Sequence, residues 1–162
     1  MKLQLLAATE KEISIIQSLA TAIWNQHYPA IIGQQQVDYM LKKMYAADAM
    51  LKQMQTGQQF YLLYRDELAI GFISVEQQGD GDYFLNKCYI QTDEQRSGAG
   101  TWALKSVLAL YPKWQTLRLQ VNRQNHKAIN FYFKFGFTIE KVADFDIGDG
   151  YSMNDFVMLL KR

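Results

Sequence analysis

The chain has 162 residues, 49% hydrophobic and 14% aromatic, enough for one domain with an ordinary core and no help from disulfides or metal. Lys and Arg number 17 against 16 Asp and Glu, so no net field favours a nucleic acid or an anionic membrane as partner. The single Cys88 excludes an internal disulfide and fits a reducing compartment, while His27 and His126, far apart in sequence, make no recognisable metal-ligand set, so no metal is expected.

The opening Met1-Lys2-Leu3-Gln4-Leu5-Leu6 turns polar too soon for the apolar region of a signal peptide. No later run approaches the ~18 uncharged residues of a membrane span, and a cytoplasmic location is expected. Leu3 to Ala7 suits a first strand, and Thr9 with Glu12 has the spacing of a capping box. Ile13, Ile16, Ala20, Ile23, Trp24 and His27 then recur at helical steps, giving an amphipathic helix that Pro29 ends. A second helical stretch from Gln34 to about Gln55 carries a wide, Met-rich apolar face, with Asp48 as the place where it can break in two.

Beyond Gly57 the pattern changes to aromatic and β-branched runs. Phe60 to Arg65 and Leu68 to Glu76 read as strands joined by the tight turn Asp66-Glu67, and Gly79-Asp80-Gly81-Asp82 makes the next turn. Tyr83 to Ile90 is a further strand, followed by the loop Gln91 to Ser97 and a helix from Gly98 to Tyr111 that Pro112 terminates. Leu117 to Val121 is a strand and Asn125 to Phe135 a helix that Gly136 caps. Thr138 to Phe145 and Ser152 to Leu160 close as a strand pair around Gly148-Asp149-Gly150. The order β-α-α-β-β-β-α-β-α-β-β predicts a single α/β domain over residues 1–162, with a mixed sheet of about seven strands and four helices.

Gln95-Arg96-Ser97-Gly98-Ala99-Gly100 lies directly after a strand and opens a helix. Small residues there let backbone approach a ligand, and the unpaired N–H groups of a first helical turn, at the positive end of its dipole, suit a pyrophosphate. Taken alone the loop reads first as a tight connection. It lacks the Gly-Lys-Ser/Thr end of a Walker site, and it is not the first βα turn that a dinucleotide fingerprint requires.

Together with Asn125-His126-Lys127-Ala128-Ile129-Asn130-Phe131-Tyr132-Phe133-Lys134-Phe135-Gly136-Phe137, this loop resembles the GNAT N-acetyltransferase superfamily. Its two motifs are a Gln/Arg-x-x-Gly-x-Gly/Ala loop holding the CoA pyrophosphate and an Asn-x-x-Ala-x-x-x-Tyr-x-x-x-Gly-Phe helix. The resemblance implies a GNAT fold whose strands 4 and 5 splay to form a CoA cleft. It implies acetyl-CoA as cosubstrate, held by Gln95, Arg96, Ser97, Gly98, Ala99, Gly100 and Thr101, by backbone groups of Cys88, Tyr89 and Ile90, and by Asn125. It leaves a homodimer open.

Within that resemblance Tyr132 is the expected general acid, since a phenol beside the departing thiolate can protonate it. Read without it, Tyr132 is a core aromatic in a Phe-rich helix. Asn125 and Tyr132 are about two helical turns apart and share a face. An acceptor amine must lose a proton before it attacks, and no base is assigned: Glu76 and Asp82 flank suitable sheet positions but read first as ordinary solvated charges. A nucleophilic role for Cys88 is set aside, because direct attack by the amine needs no enzyme intermediate. His126 reads as a surface or cofactor-edge residue and His27 as a helix-end residue.

On the acceptor side, Trp24, Tyr28, Tyr39, Met40 and Tyr45 and the segment Phe145 to Asp155 would wall the pocket. Trp24 and Tyr28, one turn apart, line a pocket or complete the core. The acidic end from Asp144 to Asp155 is similar to that of bacterial polyamine and diamine acetyltransferases, which implies a small cationic amine; as a bare sequence it is an exposed turn. The function expected is acetyl transfer to a primary amine in a ternary complex. A protein N-terminus or lysine as acceptor, and a non-catalytic acyl-CoA sensor, are the alternatives.

Overall fold

Local signals start the chain as the sequence predicts. In the computed structural model, which describes residues 2–162, Thr9 and Glu12 form the reciprocal capping box over a 3-10 turn at Glu10–Glu12. That turn leads into α1 (Ile13–His27), which buries Ile16, Leu19, Ala20, Ile23 and Trp24.

The helical segment that follows differs from expectation. Among the described residues six α-helices form instead of four, because Pro29 both ends α1 and starts a single further turn, α2 (Pro29–Ile32), and because the long stretch is cut into α3 (Gln34–Tyr45) and α4 (Ala47–Gln55). Proline is pre-set for a first helical position, where its missing N–H costs nothing. The cut falls at Ala46, which turns out of the helix at ψ 147°, and not at Asp48. Two distant amides make it possible: Gln17 Nε2 donates to the Tyr45 carbonyl at 2.8 Å and Gln53 Nε2 to the Met44 carbonyl at 2.9 Å, so carbonyls freed at the helix end stay satisfied. Asp48 instead accepts from the Ala49 N–H inside the first turn of α4.

The chain packs as two compact units. The first holds residues up to Glu76 together with Asn86–Pro112. Here β1 (Leu3–Ala8) and β2 (Gln59–Arg65) pair antiparallel from Leu3↔Arg65 to Ala8↔Phe60, and β2 pairs antiparallel with β3 (Leu68–Gly79) across a bulge at Leu63/Tyr64. Asp66 makes the β2–β3 turn at φ 55°, a conformation that Asp tolerates better than most residues. The core centres on Phe72, Leu62, Leu63, Ile70 and Ile73, all fully buried.

The second unit holds Gln77–Leu85 and Lys113–Arg162. Its strand β4 (Asp82–Ile90) begins here and runs on into the first unit. The parallel ladder of β4 with β5 (Thr116–Asn122) covers Asp82–Leu85 against Thr116–Leu119. It stops there, although β4 continues to Ile90 and β5 to Asn122. β7 (Tyr151–Lys161) pairs antiparallel with both β5 and β6 (Thr138–Gly148), completing the order β1-β2-β3-β4-β5-β7-β6. After β4, a 3-10 turn at Thr92–Glu94 precedes α5 (Ala99–Ala109), and α6 (His126–Phe135) follows β5. Gly136, at φ 122°, stops α6 with its N–H on the carbonyls of Tyr132 and Phe133. Among the described residues no helix is long and apolar enough to cross a membrane.

Gly71 on β3 marks the tightest backbone approach: a Cβ there would lie 2.6 Å from the Tyr89 carbonyl oxygen and 3.0 Å from Ile90 Cγ1. Because the neighbour is backbone in a paired strand, it cannot turn aside. Gly71→Ala is therefore expected to lower stability by about 1–3 kcal/mol, an overpacking cost that urea unfolding measures.

Candidate active site

In the first unit the sequence-predicted cofactor residues form one continuous segment: the end of β4, the loop and the start of α5. Cys88 and Tyr89 are half-buried and Ile90 is buried. Tyr89 stacks its ring near Phe72 (centroids 5.5 Å) and Trp24 (5.7 Å), which fixes the strand against α1. Gln95 turns back, donating from Nε2 to the Ile90 carbonyl at 3.0 Å.

The loop is braced from β2. Arg65 donates from Nε to Glu94 Oε2 at 2.8 Å and from Nη2 to Ser97 Oγ at 3.1 Å, while Ser97 Oγ donates to the Glu94 carbonyl at 2.6 Å. Gly98 then enters α5 in the left-handed conformation, φ 83°, which suits only a residue without a Cβ. Gly98 has no side chain with which to cap this helix, and the first turn holds no acidic residue. Ser97 Oγ takes the Ala99 N–H at 3.3 Å; the backbone of Gly100 and Thr101 follows at the positive end of the dipole, with Arg96 exposed beside it.

Beside this segment lies a buried lysine that the sequence motifs do not mark. Lys87 alternates along β4 with the buried Tyr83 and Leu85 and is itself 4% exposed. Its ammonium donates to Gln53 Oε1 at 2.8 Å and Gln58 Oε1 at 3.0 Å, and it lies over the rings of Phe60 (5.2 Å) and Tyr45 (5.8 Å). Burial pushes its pKa down to about 8, against the pull of Glu76. The period-two alternation of the strand was the available signal, since Lys87 falls on the same face as its buried neighbours.

Trp24 and Tyr28, with centroids 4.6 Å apart, and Tyr45, with its ring 6.0 Å from Trp24, form a single aromatic cluster, Trp24 and Tyr45 being deep in the core. Trp24 Nε1 and Tyr45 Oη are buried without hydrogen-bond partners. Burial raises the Tyr45 phenol well above its ordinary range, and Tyr28 adds to the rise. The carboxylates weighed as bases are both engaged: Glu76 accepts from Asn86 Nδ2 at 3.2 Å and Asp82 from Thr116 Oγ1 at 2.6 Å.

In the second unit Asn125 is buried and acts as the N-cap of α6, its side-chain oxygen accepting from the Ala128 N–H at 3.3 Å. Tyr132 is 8% exposed, its ring edge-on to Phe131 at 5.3 Å and Phe137 at 5.4 Å. The closing hairpin holds Asp155, buried at 2% exposure on β7 opposite Asn122 of β5 and Ala143 of β6. The acidic run was legible in sequence; the burial of this one member was not.

Residues 18–137 match the acetyltransferase (GNAT) family, and the chain belongs to that family. An uncharacterised N-acetyltransferase of Mycobacterium tuberculosis (strain ATCC 25618 / H37Rv) is 33% identical over 96 residues, 58% of this chain. The match spans 61% of that relative's length. The fold is similar to that of the PaiA N-acetyltransferase from Thermoplasma acidophilum in complex with coenzyme A, with a TM-score of 0.84 and 21% identity over 100% of both chains. It is also similar to the ribosomal-protein-S18-alanine N-acetyltransferase from Escherichia coli, with a TM-score of 0.74 and 15% identity over 99% of this chain and 94% of that one.

A lysine whose pKa falls to about 8 on folding binds its proton more weakly folded than unfolded, so stability is lower below pH 8 and recovers as pH rises towards the unfolded value of 10.5. Lys87→Met is expected to abolish that rise. Urea unfolding of both proteins from pH 7.5 to 9.5 measures it, with a wild-type gain of about 2 kcal/mol that the variant lacks.

Proposed function

We propose that the chain transfers the acetyl group of acetyl-CoA directly to a primary amine in a ternary complex, with a small cationic amine such as a polyamine as acceptor, in the cytoplasm. The observation that carries this reading is the start of α5, which is entered through left-handed Gly98, has no acidic residue in its first turn, and is braced by Arg65 through Glu94 and Ser97. Such a turn offers N–H donors and a positive dipole end to the CoA pyrophosphate, with Gln95, Arg96 and Ser97 beside it and Gly98 to Thr101 supplying backbone. Backbone of Cys88, Tyr89 and Ile90 would follow the pantetheine arm, and Asn125 would pair its capping role with cofactor contact.

Acetyl-CoA supplies a thioester whose departing thiolate needs a proton. Tyr132 is proposed to give it: its ring is clamped between Phe131 and Phe137, so little orientation is lost on reaction. The acidic residues of the closing hairpin, Asp144, Asp146 and Asp149, favour a cationic acceptor over an anionic one.

Release of CoA thiol across a panel of polyamines, amino acids, aminoglycosides and N-terminal peptides tests the reading. Turnover is expected with a small amine, and Tyr132→Phe should lower kcat by about 100-fold or more while CoA affinity stays within about threefold. CoA binding without turnover on any amine would instead mark an acyl-CoA sensor, and selective use of the peptides a protein acetyltransferase.

A further inference from the structure

At the centre of the second unit's antiparallel sheet sits a carboxylate with no cation bonded to it. Asp155 opposes Asn122 on one side and Ala143 on the other, it is 2% exposed, and its Oδ2 has no hydrogen-bond partner. The nearby Arg123 does not bond this carboxylate: its Nη1 donates to Asp144 Oδ1 at 2.8 Å and to the backbone carbonyls of Asp155 at 3.2 Å and Ala143 at 3.5 Å. A carboxylate buried this way is costly, and an apolar residue or Asn would fit the same ladder at lower cost.

Its position ties it to the helix that carries Tyr132. Asn122, directly across from Asp155, is the last residue of β5, and its carbonyl accepts the N–H of Asn125, the N-cap of α6, at 3.0 Å. Arg123 N–H donates to the Asn154 carbonyl at 3.0 Å, locking the same turn onto β7.

We propose that Asp155 binds the acceptor's primary ammonium group through Oδ2 and takes a proton from it, making the amine nucleophilic. This deepens, and rests on, the acetyltransferase reading. One N–H bond of the ammonium breaks and its proton passes to Oδ2. The neutral amine attacks the thioester carbonyl, forming the C–N bond, and the C–S bond breaks. The thiolate takes the Tyr132 proton, the second amine proton restores the Tyr132 phenol, and Asp155 returns its proton to water.

Burial raises the Asp155 carboxyl to about 6, with Arg123 lowering it and Asp144 adding to the rise. The group is thus ionised at pH 7 to 8 yet more basic than an ordinary carboxylate. An alkylammonium near 10 would still resist transfer by about four pH units, and leaving water lowers its pKa towards that of its partner.

The test measures kcat/KM against pH for wild type and Asp155→Asn, using the amine of highest turnover from the panel, with CoA affinity and melting temperature measured alongside. Wild type should show an acidic limb near pH 6. Asp155→Asn should lose that limb and at least about 100-fold in kcat/KM at pH 7, keep its CoA affinity, and regain activity as pH approaches the amine's own pKa. Because the raised pKa makes the wild type lose stability as pH climbs through 6, the variant should melt at or above wild type at pH 8. Retention of the limb with kcat/KM within about threefold overturns the proposal, as does melting several degrees below wild type, which would mark a structural carboxylate. Absence of wild-type turnover on every amine would overturn the acetyltransferase reading and this one with it, whereas the other two failures leave that reading standing.

Discussion

Strand β4 depends on the close approach of β3 at Gly71. With no Cβ to meet the Tyr89 carbonyl at 2.6 Å, β3 lies against the far end of β4, and everything β4 delivers follows from that placement. Tyr89 reaches the rings of Trp24 and Phe72, Lys87 reaches the amides of Gln53 and Gln58, and the Ile90 carbonyl is at hand for Gln95. The loop that follows then starts from a fixed point, and Arg65 on β2 holds its middle. The start of α5 is therefore positioned by backbone packing on one side and one guanidinium on the other.

Among the described residues each unit also carries one buried charge, and the two are handled differently. Lys87 has two amide oxygens and two aromatic faces for its ammonium, a set that keeps a cation in place without any bonded counterion. Asp155 has nothing on Oδ2. A satisfied buried ion reads as architecture; an unsatisfied one in the centre of a ladder is an energetic cost with no structural return, which is why the two residues call for different explanations.

What the sequence revealed is what depends on neighbours a few residues away. The capping box at Thr9 and Glu12, the Asp66 turn, the Gly136 stop and the Gly98 entry all appear where composition predicts them, because each is a contest between local hydrogen bonds and backbone strain. The cut at Ala46 was misplaced to Asp48 because its cause lies in Gln17 and Gln53, which only the folded chain brings to the carbonyls of Tyr45 and Met44. The glycine entry to α5 was legible in the composition of its loop, while Lys87 required the alternation of β4 to be read against burial.

The donor and acceptor halves of such a site differ in legibility for a physical reason. A pyrophosphate is held mainly by backbone N–H groups, whose availability is written in small residues and an empty cap, so a short stretch of sequence announces it. An amine is recognised by a few side chains whose meaning depends on desolvation. Asp144 and Asp155 are the same residue type on paired strands, yet the side chain of Asp144 is 64% exposed and bonded to Arg123 while Asp155 is buried with a bare oxygen. Composition cannot separate them. Only the register that sets Asp155 across from Asn122 does so, and it singles out one buried, unpartnered carboxylate from an otherwise exposed acidic hairpin.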